Sequence, residues 1–379
     1  MEGWRFNLKY RRDKYCDQPE GEEKMTTIIT TTGISLYNNT DRNYAKNPTD
    51  DQMRHYLRMS PEKASAEVHS LLQIAESGDH LVFLHTATDK AKRCAQLLQE
   101  FFEKRGDKYS HIRLVPLQFQ EDEHHIESLG LRNLVDAVIM ELEKAQRSGQ
   151  EVVINATPGF KLESGYSTII GMLYHVPVKY IYEKFTRVVT LNPIALAWDT
   201  SLFLTYDWFF RWLDDEPRRL REVEEHLREI PEKGAILSFL TLPDTQNEVF
   251  LSPLGEVLRK KFQQESEDAA LADWPADAEE QDIDAKISSS ILHCRHHTIT
   301  NILGACRKIA QLSWVEAIIG GHFESTTFAR IKYVSDDGMI RMLWADNQKA
   351  ANLTIQTTAQ SRAQTLKVAD KIKQVLDLR

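Results

Sequence analysis

The 379-residue chain predicts a parallel α/β sheet, then a helical middle segment, then a small α+β unit at its C-terminus. Three observations predict this. Apolar or β-branched runs alternate with amphipathic stretches from Thr26 to Tyr182, the pattern of strands joined by crossover helices. Between Val188 and Phe262 the sequence turns helical and densely charged. Beyond Phe328, apolar and polar residues alternate around Asp336-Asp337-Gly338, a hairpin signal.

In chain order, residues 1–24 read as an appendage, and Met25, just before the first convincing strand, is a candidate start. Thr26–Thr31 is a β-branched strand. Thr32, Gly33, Ile34, Ser35, Leu36, Tyr37, Asn38 and Asn39 read as a second strand with a glycine turn, whose hydroxyl and amide groups suit phosphate and ribose oxygens. Pro61–Ser77 is an amphipathic helix, with Ala64, Val68, Leu71, Leu72 and Ala75 at helical spacing. His80–His85 is a buried strand, and Thr88 or Asp89 caps the helix Lys90–Arg105. Ile112–Gln118 is a strand, Glu121–His125 a charged loop and Leu129–Arg147 a helix.

Val152, Val153 and Ile154 form a short buried strand. The chain then turns through Asn155, Ala156, Thr157, Pro158, Gly159, Phe160 and Lys161 into the helix Ser164–Tyr174, and Pro177–Tyr182 is a further strand. Strand, tight glycine turn and helix present backbone N–H groups and a helix N-terminus to an anion. Lys161 adds a mobile point charge suited to phosphate. Taken alone, Gly-Phe-Lys fits equally a turn that only reverses the chain. The Asn, Thr, Gly and Lys grouping directly after a buried strand favours the anion reading. So does the matching turn at Gly33: both follow strands, at the carboxyl ends where parallel sheets bind ligands.

The middle of the chain holds the apolar run Val188–Trp198, broken at Asn192-Pro193, and a helical stretch Trp208–Ile230. Phe250–Phe262 is a helix capped by Ser252 with Pro253 at its first position. Gln263–Ala285 has nine acidic residues and no Lys or Arg, and reads as a linker or exposed docking segment. Ser288–Ile309 and Ser313–Ile319 look helical. Phe328–Ser335, Gly338–Asp346 and Asn352–Thr358 alternate as strands, and Ala363–Leu378 closes with a helix.

No apolar run reaches the roughly 18 residues of a membrane span, and the charged, aromatic N-terminus is no signal peptide. Cys16, Cys94, Cys294 and Cys306 show neither metal spacing nor a disulfide framework, which fits a cytoplasmic protein. The net charge of −9 is uneven: Lys286–Arg379 has 13 basic and 7 acidic residues, +6, against −15 for the rest. A basic C-terminal unit on an acidic body suits a polyanion there.

Arg330 and Lys332 are two apart on a strand, and so share a sheet face. Arg341 lies across the Asp-Asp-Gly turn, with Arg362 and Lys367 beyond the third strand. Such cations without paired carboxylates suit phosphodiester binding and stabilisation of a pentacoordinate phosphorane. The plain alternative is a solvated basic face. His296-His297 reads as a surface pair, and Arg221 with His226 as a solvated helix face.

Residues 25–185 resemble the CARF sensor domains of type III CRISPR systems, through Thr32-Gly33-Ile34-Ser35-Leu36 and, more strongly, Ile154-Asn155-Ala156-Thr157-Pro158-Gly159-Phe160-Lys161. Pro158 stands where that family often has a first glycine, and removes one N–H donor. Residues 288–379 resemble the RelE family of ribosome-dependent mRNA interferases, through Arg330-Ile331-Lys332, Gly338-Met339-Ile340-Arg341 and Arg362 near a charged turn. Gln360 occupies a usually basic position, and Leu366 aligns with the family's late tyrosine.

The combination resembles a CARF–RelE fusion, a CRISPR-associated mRNA interferase. It implies a Rossmann-like sensor domain at 25–190, a helical middle segment at 191–285 and a RelE-like domain at 286–379. By this resemblance Thr32, Gly33, Ser35, Asn155, Thr157, Gly159, Phe160 and Lys161 bind a cyclic oligoadenylate, with the tetramer expected, across a homodimer. Arg330, Lys332, Arg341 and Arg362 form the site of a metal-independent endoribonuclease that leaves a 2′,3′-cyclic phosphate on mRNA at the ribosome. A guanidinium stays charged, so Lys332 is the better proton-transfer candidate. The implied partners are a second copy, the ribosome, including its stalk proteins, and mRNA, with no membrane and no cofactor besides the activator. Self-limiting degradation of the activator would fall to Ser35 and Lys161. Two alternatives stay open: a HEPN-type ribonuclease using Arg221 and His226, which implies an all-helical C-terminus, and a sensor joined to a nucleic-acid-binding transcription regulator.

Overall fold

The computed structural model describes residues 25–105, 109–117, 130–182, 187–194, 200–228, 230–293, 299–324, 328–346 and 348–378. The expected appendage 1–24, the charged loop 121–125, the histidine pair 296–297, Cys16 and Cys294 lie outside the described residues.

A six-stranded sheet runs in the order β3-β2-β1-β4-β5-β6. Its strands are β1 (Thr26–Thr32), β2 (Asp79–Thr86), β3 (Tyr109–Leu117), β4 (Glu151–Asn155), β5 (Val178–Tyr180) and β6 (Val189–Leu191). The first five are parallel, and β6 pairs antiparallel with β5. Helices α1 (Ser35–Asn43), α2 (Asp50–Met59), α3 (Ala66–Ile74) and α4 (Asp89–Glu103) cover one face, burying Leu36, Leu57, Leu71 and Leu98 against Ile28, Phe83 and Val153. Helices α5 (Leu131–Arg147) and α6 (Lys161–Leu173) cover the other, where Val138, Leu142 and Ile170 join a cluster with Ile29, Val82 and Ile154. Strand order reverses between β1 and β4, so their carboxyl ends frame the crevice where such sheets bind ligands.

Two elements here differ from the sequence expectation. The stretch 32–39 is not a second strand. Beyond Gly33 it is α1, whose buried residues Leu36 and Thr40 are one helical turn apart. The expected helix over 61–77 is interrupted at Ser65, whose extended backbone lets its hydroxyl accept from the Val68 amide and start α3. Of the two candidate caps for α4, Thr88 is the one used, its hydroxyl accepting from the Ala91 amide at 3.3 Å.

The expected helix 208–230 is split at Pro217, which has no N–H to continue it, into α7 (Asp207–Asp215) and α8 (Leu220–Leu227), and between them β7 (Arg218–Arg219) pairs antiparallel with β8 (Glu248–Val249). Helix α9 (Pro253–Leu271) starts as read, with the Ser252 hydroxyl accepting from the Gly255 amide. It runs on through residues 263–271 of the expected linker. Residues 272–285 then lie along the C-terminal unit instead of spanning freely. Trp274 stacks on Trp314 with ring centroids 4.2 Å apart, Ala278 donates its amide to the Ser313 carbonyl, and Arg307 pairs with Asp284 at 2.7 Å.

The C-terminal unit is a four-stranded antiparallel sheet in the order β10-β11-β12-β9. It comprises β9 (Val315–Glu324), β10 (Arg330–Val334), β11 (Met339–Ala345) and β12 (Ala350–Thr357), with helices α10 (Ile302–Ala310) and α11 (Arg362–Leu376). The stretch 313–319, expected as a helix, belongs to β9. Its β-branched Val315, Ile318 and Ile319 fit a pleated surface, and β12 pairs with Val315, Ala317, Ile318 and Ile319. Gly338 turns the β10–β11 hairpin at φ +92°, where a side chain would strike the Thr357 and Ala359 carbonyls.

The middle segment belongs to both units. One buried cluster runs from Ile29 and Ile154 through Phe203, Phe209 and Phe262 to Ile340 and Ile372. Helix α9 is the bar within it. Glu256 and Lys260 pair with Arg132 and Asp136 of α5, at 3.1 and 3.2 Å. Further along, Glu265 pairs with Arg362 at the start of α11, at 3.0 Å.

Candidate functional site

The turns after β1 and β4 meet. The Thr31 hydroxyl donates to the Pro158 carbonyl at 2.9 Å, fastening one turn to the strand that carries the other. Under the first turn lies the buried carboxylate of Glu67 from α3. It accepts from the Gly33 amide at 3.0 Å, from the Ser35 hydroxyl, and from the Ser65 hydroxyl at 2.5 Å. Under the second lies Glu163, whose carboxylate accepts from the Phe160 amide at 3.1 Å. Gly159 is left-handed, φ +97°, and a Cβ there would overlap that carboxylate.

The predicted binding residues therefore divide. Gly159, Phe160 and Lys161 are exposed, Phe160 at 75%. Asn155 is buried: its amide donates to Thr30 and Ser70 at 3.1 and 2.8 Å, and its oxygen accepts from the Thr157 amide. It shapes the turn from below. The Thr157 hydroxyl accepts from the Ile181 amide at 3.0 Å, tying the turn to the end of β5. Ser35 is held by Glu67, and Thr32 is buried with its hydroxyl unpartnered.

Two carboxylates beneath an expected anion site are the feature that sequence reading missed. Burial raises the Glu163 carboxyl above its ordinary range; the Phe160 amide opposes that and nearby Glu67 adds to it. Glu163 had a signal, standing three residues after Phe160, the capping-box position. Glu67 had none, because Gly33 and Ser35 lie more than 30 residues away from it in sequence.

In the C-terminal sheet, Arg341 is exposed on β11, its guanidinium 5.7 Å from the Tyr333 ring centroid. A register shift between Ile331 and Tyr333 sets Lys332 at a bulge, where its ammonium meets Glu324 at 3.0 Å. The Asn352 amide and Lys332 hold the Glu324 carboxyl below its ordinary range.

The other two predicted catalytic residues are bound by the middle segment. Arg330 is 5% exposed and pairs with Glu232, which also accepts from the Tyr206 hydroxyl. Arg362 pairs with Glu265 and donates to the Val334 carbonyl at 2.8 Å and the Thr200 hydroxyl at 2.7 Å. Lys367 lies over Trp274 and donates to the Ala272 carbonyl. Thus Arg341 and Lys332 reach the open sheet face, while Arg330, Arg362 and Lys367 are engaged elsewhere.

On α8, Arg221 pairs with Glu225 and the His226 ring stacks on Trp212 at 4.1 Å, so the two side chains have different partners. The sheet over residues 315–357 also departs from the all-helical C-terminus of the HEPN alternative. A cavity of 1030 Å³ lies between α7, α9 and α11, away from both turns, and is lined by both signs of charge, including Asp214, Arg259 and Lys371. Among the described residues, no group of three or more His, Cys, Asp or Glu is placed to hold a metal ion, and no helix is long and apolar enough to cross a membrane.

Among solved structures, the chain is similar to protein VC1899 from Vibrio cholerae, at 8% identity and a TM-score of 0.29, covering 89% of this chain and 78% of that one. A superposition of that quality does not define a shared fold. Residues 62–194, which include β4, its turn and α6, match the family model described as CRISPR-associated protein (Cas_APE2256). That match supports a CRISPR-associated protein.

Proposed function

We propose that the chain is an ancillary effector of type III CRISPR defence: a ribosome-dependent mRNA endoribonuclease switched on by a cyclic oligoadenylate, with the tetramer expected. The observation that carries this reading is the Thr31–Pro158 hydrogen bond, which sets two glycine turns side by side where strand order reverses. The CRISPR-associated family match over part of the same unit supports it.

In this reading Gly159 and Lys161 meet phosphates, while the Gly33 amide stays on Glu67 and shapes the neighbouring turn, and exposed Phe160 offers a ring to an adenine. Two copies across a symmetric ring complete the pocket. The effector face uses Arg341 to stabilise the negative charge that builds on the phosphoryl oxygens as a ribose 2′-hydroxyl attacks the adjacent phosphate. The 2′-hydroxyl gives up its proton, the bond from phosphorus to the 5′-oxygen breaks and that oxygen takes up a proton, leaving a 2′,3′-cyclic phosphate and a 5′-hydroxyl. Lys332 adds a second cation, for which the phosphate competes with Glu324.

The test is cleavage of a defined mRNA with and without ribosomes, each with and without cyclic tetra-adenylate. Cleavage that needs both is the expected result. Cleavage of naked RNA without ribosomes, or no response to the ring, rejects the reading.

A further inference from the structure

One row of side chains crosses the whole C-terminal sheet. Tyr333, Arg341, Thr354 and Ile319, one from each strand, stand in direct register. The adjacent row, Val334, Ile340, Ile355 and Ile318, is buried, as are Ile331, Met342 and Leu353 on the other side. Pleat alternation therefore turns the Tyr333 row to the opposite face. There Tyr333 is 39% and Ile319 43% exposed, and Arg341 is exposed between them. Lys332 flanks Tyr333 at the bulge.

An open sheet face carrying an aromatic ring, an aliphatic side chain and an exposed guanidinium has a chemical match. Single-stranded nucleic acids bind such faces because every base has a π-face to stack and every linkage a negative charge. The charge of +6 over residues 286–379 complements the same ligand.

We infer that the Tyr333–Arg341–Thr354–Ile319 row is a platform for single-stranded RNA, on which Tyr333 stacks a base and Arg341 holds the adjoining phosphate. Ile319 gives the far end of the row an apolar surface for a neighbouring base. Tyr333 is on this account a positioning residue: it fixes the base so that the phosphate beside it lies at Arg341. The inference rests on the ribonuclease reading for its purpose, but not for its test.

The test uses the full chain and a single-stranded RNA dodecamer carrying 2-aminopurine, followed by fluorescence and by anisotropy at low and moderate salt. Tyr333→Ala is expected to weaken binding on the order of 10-fold, by a similar factor at both salt concentrations, and to abolish the stacking-dependent quench. Tyr333→Phe should retain both. Arg341→Ala should instead lower the salt dependence by about one counterion. Thermal unfolding shows whether each variant folds. Wild-type affinity and quench in Tyr333→Ala overturn the inference, as does equal loss in Tyr333→Phe, or wild-type protein that does not bind the RNA. A self-association lost in Tyr333→Ala with RNA binding unchanged assigns the face to a second copy and overturns it too. If the platform behaves as expected while no mRNA is cut with ribosomes and ring present, the ribonuclease reading fails alone.

Discussion

The Thr31 hydroxyl that donates to Pro158 also lies 2.7 Å from where a Gly159 Cβ would stand. With φ at +97° and the Glu163 carboxylate on its other side, Gly159 has neither the backbone nor the space for a side chain. Gly159→Ala is expected to cost about 1–3 kcal/mol and to loosen the link between the two turns. Urea denaturation should show the lost stability, and calorimetric titration with cyclic tetra-adenylate a weaker affinity. A midpoint and affinity like wild type would show that the turn tolerates the strain.

Glu163 is expected to make the turn after β4 sensitive to pH. Its carboxyl titrates above its ordinary range in the folded chain, chiefly through burial. Its share of stability is therefore fullest below the ordinary carboxylate range and is lost as pH rises through the raised value. The other carboxylate facing the site is Glu67, and the nearby cation on the same helix is Lys161. Glu163→Gln keeps an acceptor for the Phe160 amide and removes the charge. It is expected to stabilise the fold at neutral pH and to change it little below the ordinary carboxylate range. Wild-type affinity for the ring should rise as pH falls from neutrality, by about 3-fold, and that of Glu163→Gln should stay flat. Parallel pH profiles for the two proteins would exclude Glu163 as the titrating group.

How far this site was legible differs by element. The β4 turn could be read because its residues are contiguous, and Gly159 sits where backbone geometry demands glycine. The order of strands and helices through β5 could be read from periodicity, apart from the stretch after Gly33, helix α2, which the periodicity did not announce, and the break at Ser65. The state of the basic residues could not. Arg330 and Arg362 find Glu232 and Glu265 about 100 residues away, and no local pattern announces such pairs. Residues 313–319 misled for a related reason. Their partner is β12, and only tertiary pairing makes them a strand. The acidic composition of 263–285 suggested freedom, but Trp274 on Trp314 holds its second half down.

Arg341 offers the cleanest separation of activity from folding. Its guanidinium is exposed, with Tyr333 as its neighbour on the sheet face. Arg341→Ala is therefore expected to change stability by less than about 0.5 kcal/mol and to leave ring affinity unchanged. Cleavage at the ribosome should fall by a factor on the order of 100. Retained cleavage by a folded variant would move the phosphate site away from β11.

Glu265 and Arg362 join the middle helix α9 to the C-terminal sheet, and on the proposed function they lie on a route between the two sheets. Helix α9 is pinned to α5 through Glu256 and Lys260 and to α11 through Glu265. Arg362 in turn donates to the Val334 carbonyl, the last residue of β10, so the pair reaches the strand that bears Arg330 and Lys332. Removing either partner strands the other half-buried, with side chains only 24% and 14% exposed for Arg362 and Glu265. Each alanine variant is expected to lose about 1–3 kcal/mol, and the double variant less than their sum, with a coupling of at least 0.5 kcal/mol, on the scale of about 0.5–3 kcal/mol for contacting pairs. The functional consequence is more specific than the stability loss. Glu265→Ala should bind the ring like wild type, because its contacts lie away from both turns, yet the ring should stimulate its cleavage less. Equal stimulation at equal ring occupancy would show that α9 is not the route between the two units.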